Sequence, residues 1–386
     1  MSSTETETVQ LIRRCFAEEE ENPPVPQTAH DVPVSYQAMT PEWLTLVLGP
    51  YSGGVRVKSF SLGPKDNGTS NRRRVYLEWE GNSTKTLPES VFCKAAHALN
   101  NRITLFNGGT KSEVQFYKQI RPLLDIEAPS AYFSAYDPKS WASIIMLRDM
   151  DRRTKFCTHR TILSKEQLGQ QLLILAKLHG NFYQSTKDVF GQVTTLKERF
   201  NRLIVTVDFK GAAENGFEAA RSVIPLHVFA REDAVWERTL QSLERCASLP
   251  PTLIHGDVHL GNWYMTPDGN MGLTDWAVLS RGHWSRDVAY VLATAVSLEK
   301  RREWEHEMVQ FYLEELTKAG GPCVSAAEAW LELRRASFLA LAYWTVTLTP
   351  SSSMPDMQPE DTTLEFIRRI TTFMGDHQVF DSFANM

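Results

Sequence analysis
The spacing of apolar residues changes along the chain. Between residues 55 and 147 it alternates. Val55–Leu62, Val75–Glu80, Ser90–Ala95, Ala131–Tyr136 and Ser143–Leu147 read as short strands separated by Gly, Asn and Ser clusters. One helix interrupts them, over Lys111–Leu124. Ahead of them, Thr40 followed by Pro41 predicts a helix start, because the Thr side chain caps free amides and proline lacks an amide where none is needed. Past residue 150 the period becomes helical. Ser164 and Gln167 form a capping box for a helix that carries Leu172, Leu175 and Leu178. Residues 195–249 read as broken helix, clearest over Asp233–Leu249, and helices resume from Arg286 apart from a loop over Pro350–Pro359. Strand signals return only in Thr252–Ile254, Trp263–Met265 and Met271–Thr274, the last two joined by a Pro267-Asp268-Gly269-Asn270 turn. The apolar stretch Ala336–Leu348 is too short and too interrupted to span a bilayer and reads as a buried helix. The pattern predicts an α+β fold with a small sheet-rich lobe followed by a larger helical one.

A length of 386 residues agrees, since it exceeds what one ordinary core organises. Residues 1–34, rich in Thr, Glu and Pro, read as a flexible arm with at most a short amphipathic helix over Val9–Phe16. The first lobe is expected over 35–149 and the second over 150–386. A net charge of −5 with no basic run argues against nucleic acid as a partner. The polar, acidic start does not read as a secretory signal, and no membrane partner is expected. Cys15, Cys93, Cys157, Cys246 and Cys323 are scattered without a C-x-x-C pair, which fits reduced thiols in the cytoplasm.

Candidate chemistry concentrates in Leu253-Ile254-His255-Gly256-Asp257-Val258-His259-Leu260-Gly261-Asn262. An apolar strand stub delivers a loop with the spacing H-x-D-x-x-x-x-N. Phosphoryl transfer needs a carboxylate near the attacking hydroxyl and oxygen ligands for Mg²⁺, and Asp257 and Asn262 in one turn supply one of each. Asp275, at the end of the hairpin that returns beside Asn262, answers the need for a second hard-oxygen ligand. The plainer reading is a chance cluster in a Gly-rich polar turn.

Residues 253–292 resemble the aminoglycoside phosphotransferase and choline kinase superfamily, whose fold is bilobal and protein-kinase-like. Leu175-Ala176-Lys177-Leu178-His179 and Trp284-Ser285-Arg286-Asp287-Val288-Ala289-Tyr290 are similar to its ecdysteroid-kinase-like branch. The resemblance implies an ATP-dependent kinase acting on a small-molecule alcohol, with Asp257 catalytic, His255 bracing the loop, Asn262 and Asp275 on Mg²⁺, and Asp287 steadying the loop. Asp287 also reads as a helix cap, and His179 as a satisfied core histidine. A catalytically silent nucleotide- or metabolite-binding relative is the alternative.

The nucleotide side is read from the first lobe. Gly63-Pro64-Lys65-Asp66-Asn67-Gly68-Thr69-Ser70 nearly spells a P-loop, but Thr69 stands where the lysine belongs and a strand follows where a helix is required. A strand–turn–strand flap is expected instead, with amides around Gly68, Thr69 and Ser70 facing phosphates. Lys94 sits in an apolar strand, where a lone charge needs a partner. By the resemblance it binds the α/β-phosphates and pairs with a helix Glu, for which Glu113 is the candidate. The competing reading makes Thr110 and Glu113 a capping box. Leu147, Asp149 and Met150 fall where the lobes join and read as an adenine-binding hinge, against simple strand termination. The Arg72-Arg73-Arg74 run reads as a solvated face. Trp263, Tyr264, Trp276, Trp284, Tyr343 and Trp344 are expected to give the acceptor pocket flat walls, with core positions as the plainer reading for Trp276 and Trp344.

Overall fold
The computed structural model describes residues 3–81, 85–106, 108–351, 354 and 357–384. The loop expected over Pro350–Pro359 lies partly outside them. The chain divides into two units, residues 1–123 with 129–152, and residues 124–128 with 153–386.

In the first unit the helices are α1 (Ser3–Glu21), α2 (Pro41–Ser52), α3 (Leu99–Leu105) and α4 (Gly109–Gln115), the last continuing as one π turn and one 3₁₀ turn to Leu123. The strands are β1 (Val57–Leu62), β2 (Asp66–Asn67), β3 (Asn71–Trp79), β4 (Ser90–Ala95), β5 (Ala131–Tyr136) and β6 (Ser143–Arg148). They form one antiparallel sheet in the order β1-β3-β4-β6-β5, with β2 folded back on β3. Directly paired residues share a face, so the register Arg73 opposite Cys93 and Val75 opposite Val91 puts these four on one side. That side is apolar past Arg73, and Val75, Val91, Cys93, Ala95, Ile144 and Met146 bury themselves against Trp43, Leu44, Val47 and Leu48 of α2. The start of α2 follows its sequence signal: Thr40 accepts a hydrogen bond from the Trp43 amide, and Gly53 closes the helix in the left-handed conformation. The other face carries Arg72, Arg74, Phe92 and Lys94.

The stretch read as an arm holds more structure than its composition predicts. The helix runs the length of Ser3–Glu21, Ile12 is fully buried, and Arg102 of α3 pairs with Glu19 while lying over the Phe16 ring. Long-range pairing offsets an acidic helix end that local propensity disfavours.

The second unit contains α5 (Lys165–Asn181), α6 (Asp188–Gln192), α7 (Leu196–Thr206), α8 (Phe209–Ala219), α9 (Leu226–Phe229), α10 (Glu232–Ser248), α11 (Ser285–Thr294), α12 (Leu298–Lys318), α13 (Ala326–Leu348) and α14 (Glu360–Asp376). Its strands are β7 (Lys155–Phe156), β8 (Thr252–Ile254), β9 (Trp263–Met265), β10 (Met271–Leu273) and β11 (Ser280–Gly282), in a three-stranded β10-β9-β7 sheet and a β11-β8 pair. β7 and β11 were not visible in the sequence, because unlike the similarly short β8, β9 and β10 they carry no apolar run or turn signal. Both members of the Ser164–Gln167 capping box bond reciprocally. The apolar stretch from Ala336 lies within α13, which packs against α8, α10, α11 and α14. Among the described residues no helix is long and apolar enough to cross a membrane, and the five cysteines are free thiols.

The α8–α13 contact is close because Gly216 has no side chain: a Cβ there would lie 1.9 Å from the Thr345 carbonyl oxygen. Gly216→Ala is therefore expected to lower unfolding stability by about 2–3 kcal/mol, the scale of forced overpacking. Urea denaturation of the two proteins checks this.

Candidate active site
In the second unit β8 ends at Ile254 and the chain turns at Gly256, whose φ of +84° and whose approach to the Val278 carbonyl exclude a side chain. The turn is held by one buried carboxylate. Asp287, in the first turn of α11, accepts from the His255 amide at 2.6 Å and the Gly256 amide at 2.9 Å. His179 of α5 stands 3.3 Å from the same carboxylate through Nε2, while its Nδ1 meets the Tyr312 hydroxyl at 2.8 Å. Burial would raise the Asp287 carboxyl, but the His179 hydrogen bond and the fields of His179, His255 and Arg286 hold it below the usual carboxylate range. Arg286 adds a bond to the Gly256 carbonyl at 3.1 Å.

His255 is fully buried with a fixed tautomer. Nε2 faces the Thr274 carbonyl at 3.0 Å and so donates, and Nδ1 accepts from the Asp257 amide at 3.2 Å. Burial pushes its pKa down, against the opposing pull of Asp287, Asp257 and Asp275, so the ring stays neutral. It ties the start of the loop to the residue before Asp275.

The Asp257 carboxylate projects from this frame with a side chain that remains 36% exposed. The Tyr290 hydroxyl lies 3.3 Å from Oδ1 and Asn262 Nδ2 lies 3.2 Å from Oδ2. Tyr290 itself takes a hydrogen bond from Trp344 Nε1. Burial, and the Asp257 charge after it, raise the Tyr290 pKa well above its ordinary value, so it remains a donor. His259 binds the Gly261 amide through Nδ1, which directs its other nitrogen toward Asp257 Oδ2 at 3.6 Å.

Asn262 also donates to the Asp257 carbonyl at 2.8 Å, so its amide nitrogen is committed to the loop and its oxygen remains as a donor atom for a cation. The β9–β10 hairpin has the expected register, Trp263 opposite Leu273, and the Thr274 amide extends it to the Asn262 carbonyl at 2.9 Å. Asp275 follows in the left-handed conformation, φ 63°. Among the described residues no group of three His, Cys, Asp or Glu side chains could hold a metal ion by itself. The backbone link between Asn262 and Thr274 brings Asp275 next in the chain to the residue paired with Asn262.

In the first unit Lys94 Nζ and Glu113 Oε1 form an ion pair at 2.7 Å, with 12% and 7% of their side chains exposed. The capping-box reading of Glu113 is set aside: α4 begins earlier, at Gly109, and has no side-chain cap. Gly68, Thr69 and Ser70 form the turn between β2 and β3, pinned where Asn101 donates to the Gly68 carbonyl at 2.7 Å. Leu147 is buried at the end of β6. The Asp149 side chain is engaged locally, by Arg74 at 2.9 Å and by the Ser90 hydroxyl at 2.5 Å. Burial would raise its pKa, and those two partners take it below the usual range. The arginine run is likewise not a uniform solvated face: Arg72 pairs with Asp66, Arg74 with Asp149, and Arg73 lies over the Tyr36 ring.

The aromatic walls expected for an acceptor pocket are corrected by burial. Trp263 and Trp276 are 0% exposed, Tyr264 and Trp284 1%, and Trp344 3%. Trp263 Nε1 donates to the Val258 carbonyl, Trp276 Nε1 to the Leu273 carbonyl and the Tyr264 hydroxyl to Glu127, whereas Trp284 Nε1 is buried without a hydrogen-bond partner. Tyr343 is only partly buried, against Phe200 and Phe209. His179 is the satisfied core histidine the sequence suggested, while the supporting roles of Tyr290 and Tyr312 were missed. The signal available was general, that a buried histidine or tyrosine requires a partner.

Residues 160–324 match the model of the APH phosphotransferase enzyme family, a segment that contains the whole loop, the hairpin and Asp287. No curated protein matches the chain. Three solved structures are similar in outline. Choline kinase LicA from Streptococcus pneumoniae is 13% identical, covers 83% of this chain and 94% of its own, and superposes with a TM-score of 0.46. A spectinomycin phosphotransferase in complex with ADP and spectinomycin is 14% identical, with 88% and 97% covered and a TM-score of 0.47. Ethanolamine kinase from Plasmodium vivax is 11% identical, with 95% and 93% covered and a TM-score of 0.42.

Asp287→Asn puts an amide where two loop N–H groups require acceptors. It is expected to destabilise the protein by about 3 kcal/mol at neutral pH. A folded-state pKa below the unfolded one stabilises above the ordinary carboxyl range and loses that contribution as pH falls through the depressed value. The gap between wild type and variant should therefore narrow below about pH 4. Denaturation midpoints measured across acid pH check both parts.

Proposed function
We propose that the protein is an ATP-dependent phosphotransferase that moves the γ-phosphoryl group to a hydroxyl of a small molecule. The observation that carries this reading is the half-exposed Asp257 carboxylate, held from two sides on a loop whose backbone is fixed by a buried carboxylate. The phosphotransferase family match over the same segment supports it. The finer likeness to an ecdysteroid-kinase-like branch rests on the sequence stretches quoted above and belongs to this proposal.

Phosphoryl transfer asks little covalent work of a protein and much positioning. Asp257 orients the acceptor hydroxyl and takes its proton as the oxygen attacks phosphorus. Tyr290 and Asn262, one on each carboxylate oxygen, fix the direction in which the proton is accepted. His255 keeps the loop and the segment before Asp275 in one frame. Asn262, through its oxygen, and Asp275 would hold Mg²⁺, which when bound neutralises charge on the phosphates. Lys94, kept in place by Glu113, binds nucleotide phosphates, with the turn amides at Gly68, Thr69 and Ser70 assisting and backbone groups of Leu147, Asp149 and Met150 receiving the base. The acceptor is a small alcohol, and a cytoplasmic setting fits the free thiols.

Asp257→Asn keeps the backbone bonds of the loop and one of the two side-chain bonds, and removes the proton acceptor. Transfer of labelled γ-phosphate from ATP into metabolites of a cell extract should fall at least about a hundredfold, with Mg-ADP affinity within about twofold of wild type by calorimetry. Undiminished transfer by the variant would exclude Asp257 as the base, and no transfer by the wild type into any metabolite would favour a silent binding relative.

A second prediction separates binding from folding at Lys94. Lys94→Ala should weaken Mg-ATP binding and also cost about 3 kcal/mol of stability, because the buried Glu113 loses its cation. In Lys94→Ala/Glu113→Ala the stability should return and the nucleotide affinity should not. Recovery of both would make the pair purely structural.

A further inference from the structure
A cavity of about 510 Å³ lies within the first unit, on the sheet face opposite to Lys94. Its walls come from α1, the segment before α2, the start of β3 and the start of α3. The volume falls within the range of small-molecule sites. None of the residues assigned above to catalysis, metal or nucleotide lines it.

Hydrogen-bond accounting separates the polar groups around it into engaged and open. Arg102 is engaged, by Glu19 at 2.6 Å, the Ser140 carbonyl at 3.1 Å and the His97 carbonyl at 3.2 Å. The Tyr36 hydroxyl is engaged by the Asn71 and Cys93 carbonyls at 2.9 and 3.1 Å. The His97 ring is open. It is only 7% exposed, packs edge-on against Tyr36 at 4.7 Å, and neither ring nitrogen has a hydrogen-bond partner. The Pro33 carbonyl favours a proton on the ring but lacks hydrogen-bond geometry to it. Arg73 is open at Nε, which is buried without a partner while its guanidinium lies 5.8 Å above the Tyr36 ring. Unpaired buried polar atoms of this kind are costly, and a bound molecule that pairs them removes the cost.

Charge decides what that molecule is. With Glu19 neutralised by Arg102, the wall keeps Lys65 and Arg73 against Glu20, a positive surplus. Burial, with the Arg102 charge acting the same way, lowers the His97 pKa to about 3. The ring is therefore neutral at physiological pH and offers one donor and one acceptor. Phe16 and Tyr36 supply flat apolar surface beside these groups.

We propose that this cavity is a second ligand site that binds a small hydroxylated organic anion, its carboxylate or phosphate on Arg73 and Lys65 and its hydroxyl on the His97 ring. The site is independent of the catalytic reading and would stand if that reading failed.

Calorimetric titration of the full chain with malate and with glycerol 3-phosphate, each with and without saturating Mg-ADP, tests it and separates the two anion sources. One-to-one binding of at least one probe is expected, undisturbed by Mg-ADP. Arg73→Gln, at a half-buried strand position, should weaken it at least about tenfold, as loss of one charge-assisted hydrogen bond does. His97→Phe should weaken it comparably, and Lys58→Gln, which removes an exposed charge from β1 outside the cavity, should leave it unchanged. Absence of binding by both probes at millimolar concentration overturns the proposal. So does displacement by Mg-ADP, equal affinity in Arg73→Gln, or an equal loss in Lys58→Gln.

Discussion
The buried Asp287 carboxylate is the constraint on which the second unit's polar centre depends. Taking a carboxylate wholly out of water is unfavourable by several kcal/mol unless its lone pairs find donors, and here three arrive from two stretches of chain: two consecutive loop amides and the His179 ring. The amides of His255 and Gly256 would otherwise be orphaned beside a residue whose φ of +84° rules out regular pairing. Carboxylate and amides therefore satisfy one another, and neither can move alone. α11 inherits its entry point from this bond, and α5 is tied to α12 through His179 and Tyr312.

That rigidity permits two neighbouring carboxylates to behave differently. Asp287 is enclosed and spends its oxygens on backbone donors. Asp257, the residue after those two amides, keeps a third of its side chain in solvent and meets longer contacts, Asn262 at 3.2 Å, Tyr290 at 3.3 Å and His259 at 3.6 Å. A group that must accept a proton from a substrate needs unspent lone-pair capacity, and a group that must hold a loop needs the reverse. Environment, not residue type, sorts the two roles.

The parts of this centre that were legible in the sequence are those whose partners are near in the chain. His255, Asp257 and Asn262 share one turn, and the hairpin that returns to Thr274 carries its own turn signal, so spacing alone predicts their neighbourhood. Lys94 was legible for another reason, as a charge in an apolar strand that demanded a partner. Tyr290 and Tyr312 were not, because their partners lie up to 133 residues away and nothing local encodes which buried polar groups will meet. His179 was legible as a satisfied core histidine, but not its partners. Trp263 and Trp284 were misread on the same ground, whereas the core reading of Trp276 and Trp344 holds. A Trp beside a polar loop has the same local sequence whether its ring walls a pocket or fills the core, and only tertiary packing decides. In α1, Thr and Glu composition predicted disorder, whereas burial of Ile12 and the Glu19–Arg102 pair, both long-range, hold the helix.

The three consecutive arginines show how strand geometry turns one-dimensional ambiguity into distinct roles. In sequence they are a single basic run. On a pleated strand they separate, Arg72 and Arg74 to the face that also carries Lys94, Arg73 to the face lined by Cys93. Three cations crowded on one side would repel, yet each one there meets its own carboxylate: Asp66 for Arg72, Asp149 for Arg74 and Glu113 for Lys94. Two of those pairs are partly exposed and add little stability. The third is nearly enclosed, so its lysine cannot leave without stripping a buried carboxylate of its cation. The enclosed pair is accordingly the one whose geometry is fixed most tightly. Arg73, sent alone to the opposite face, keeps a buried nitrogen that the fold itself does not satisfy.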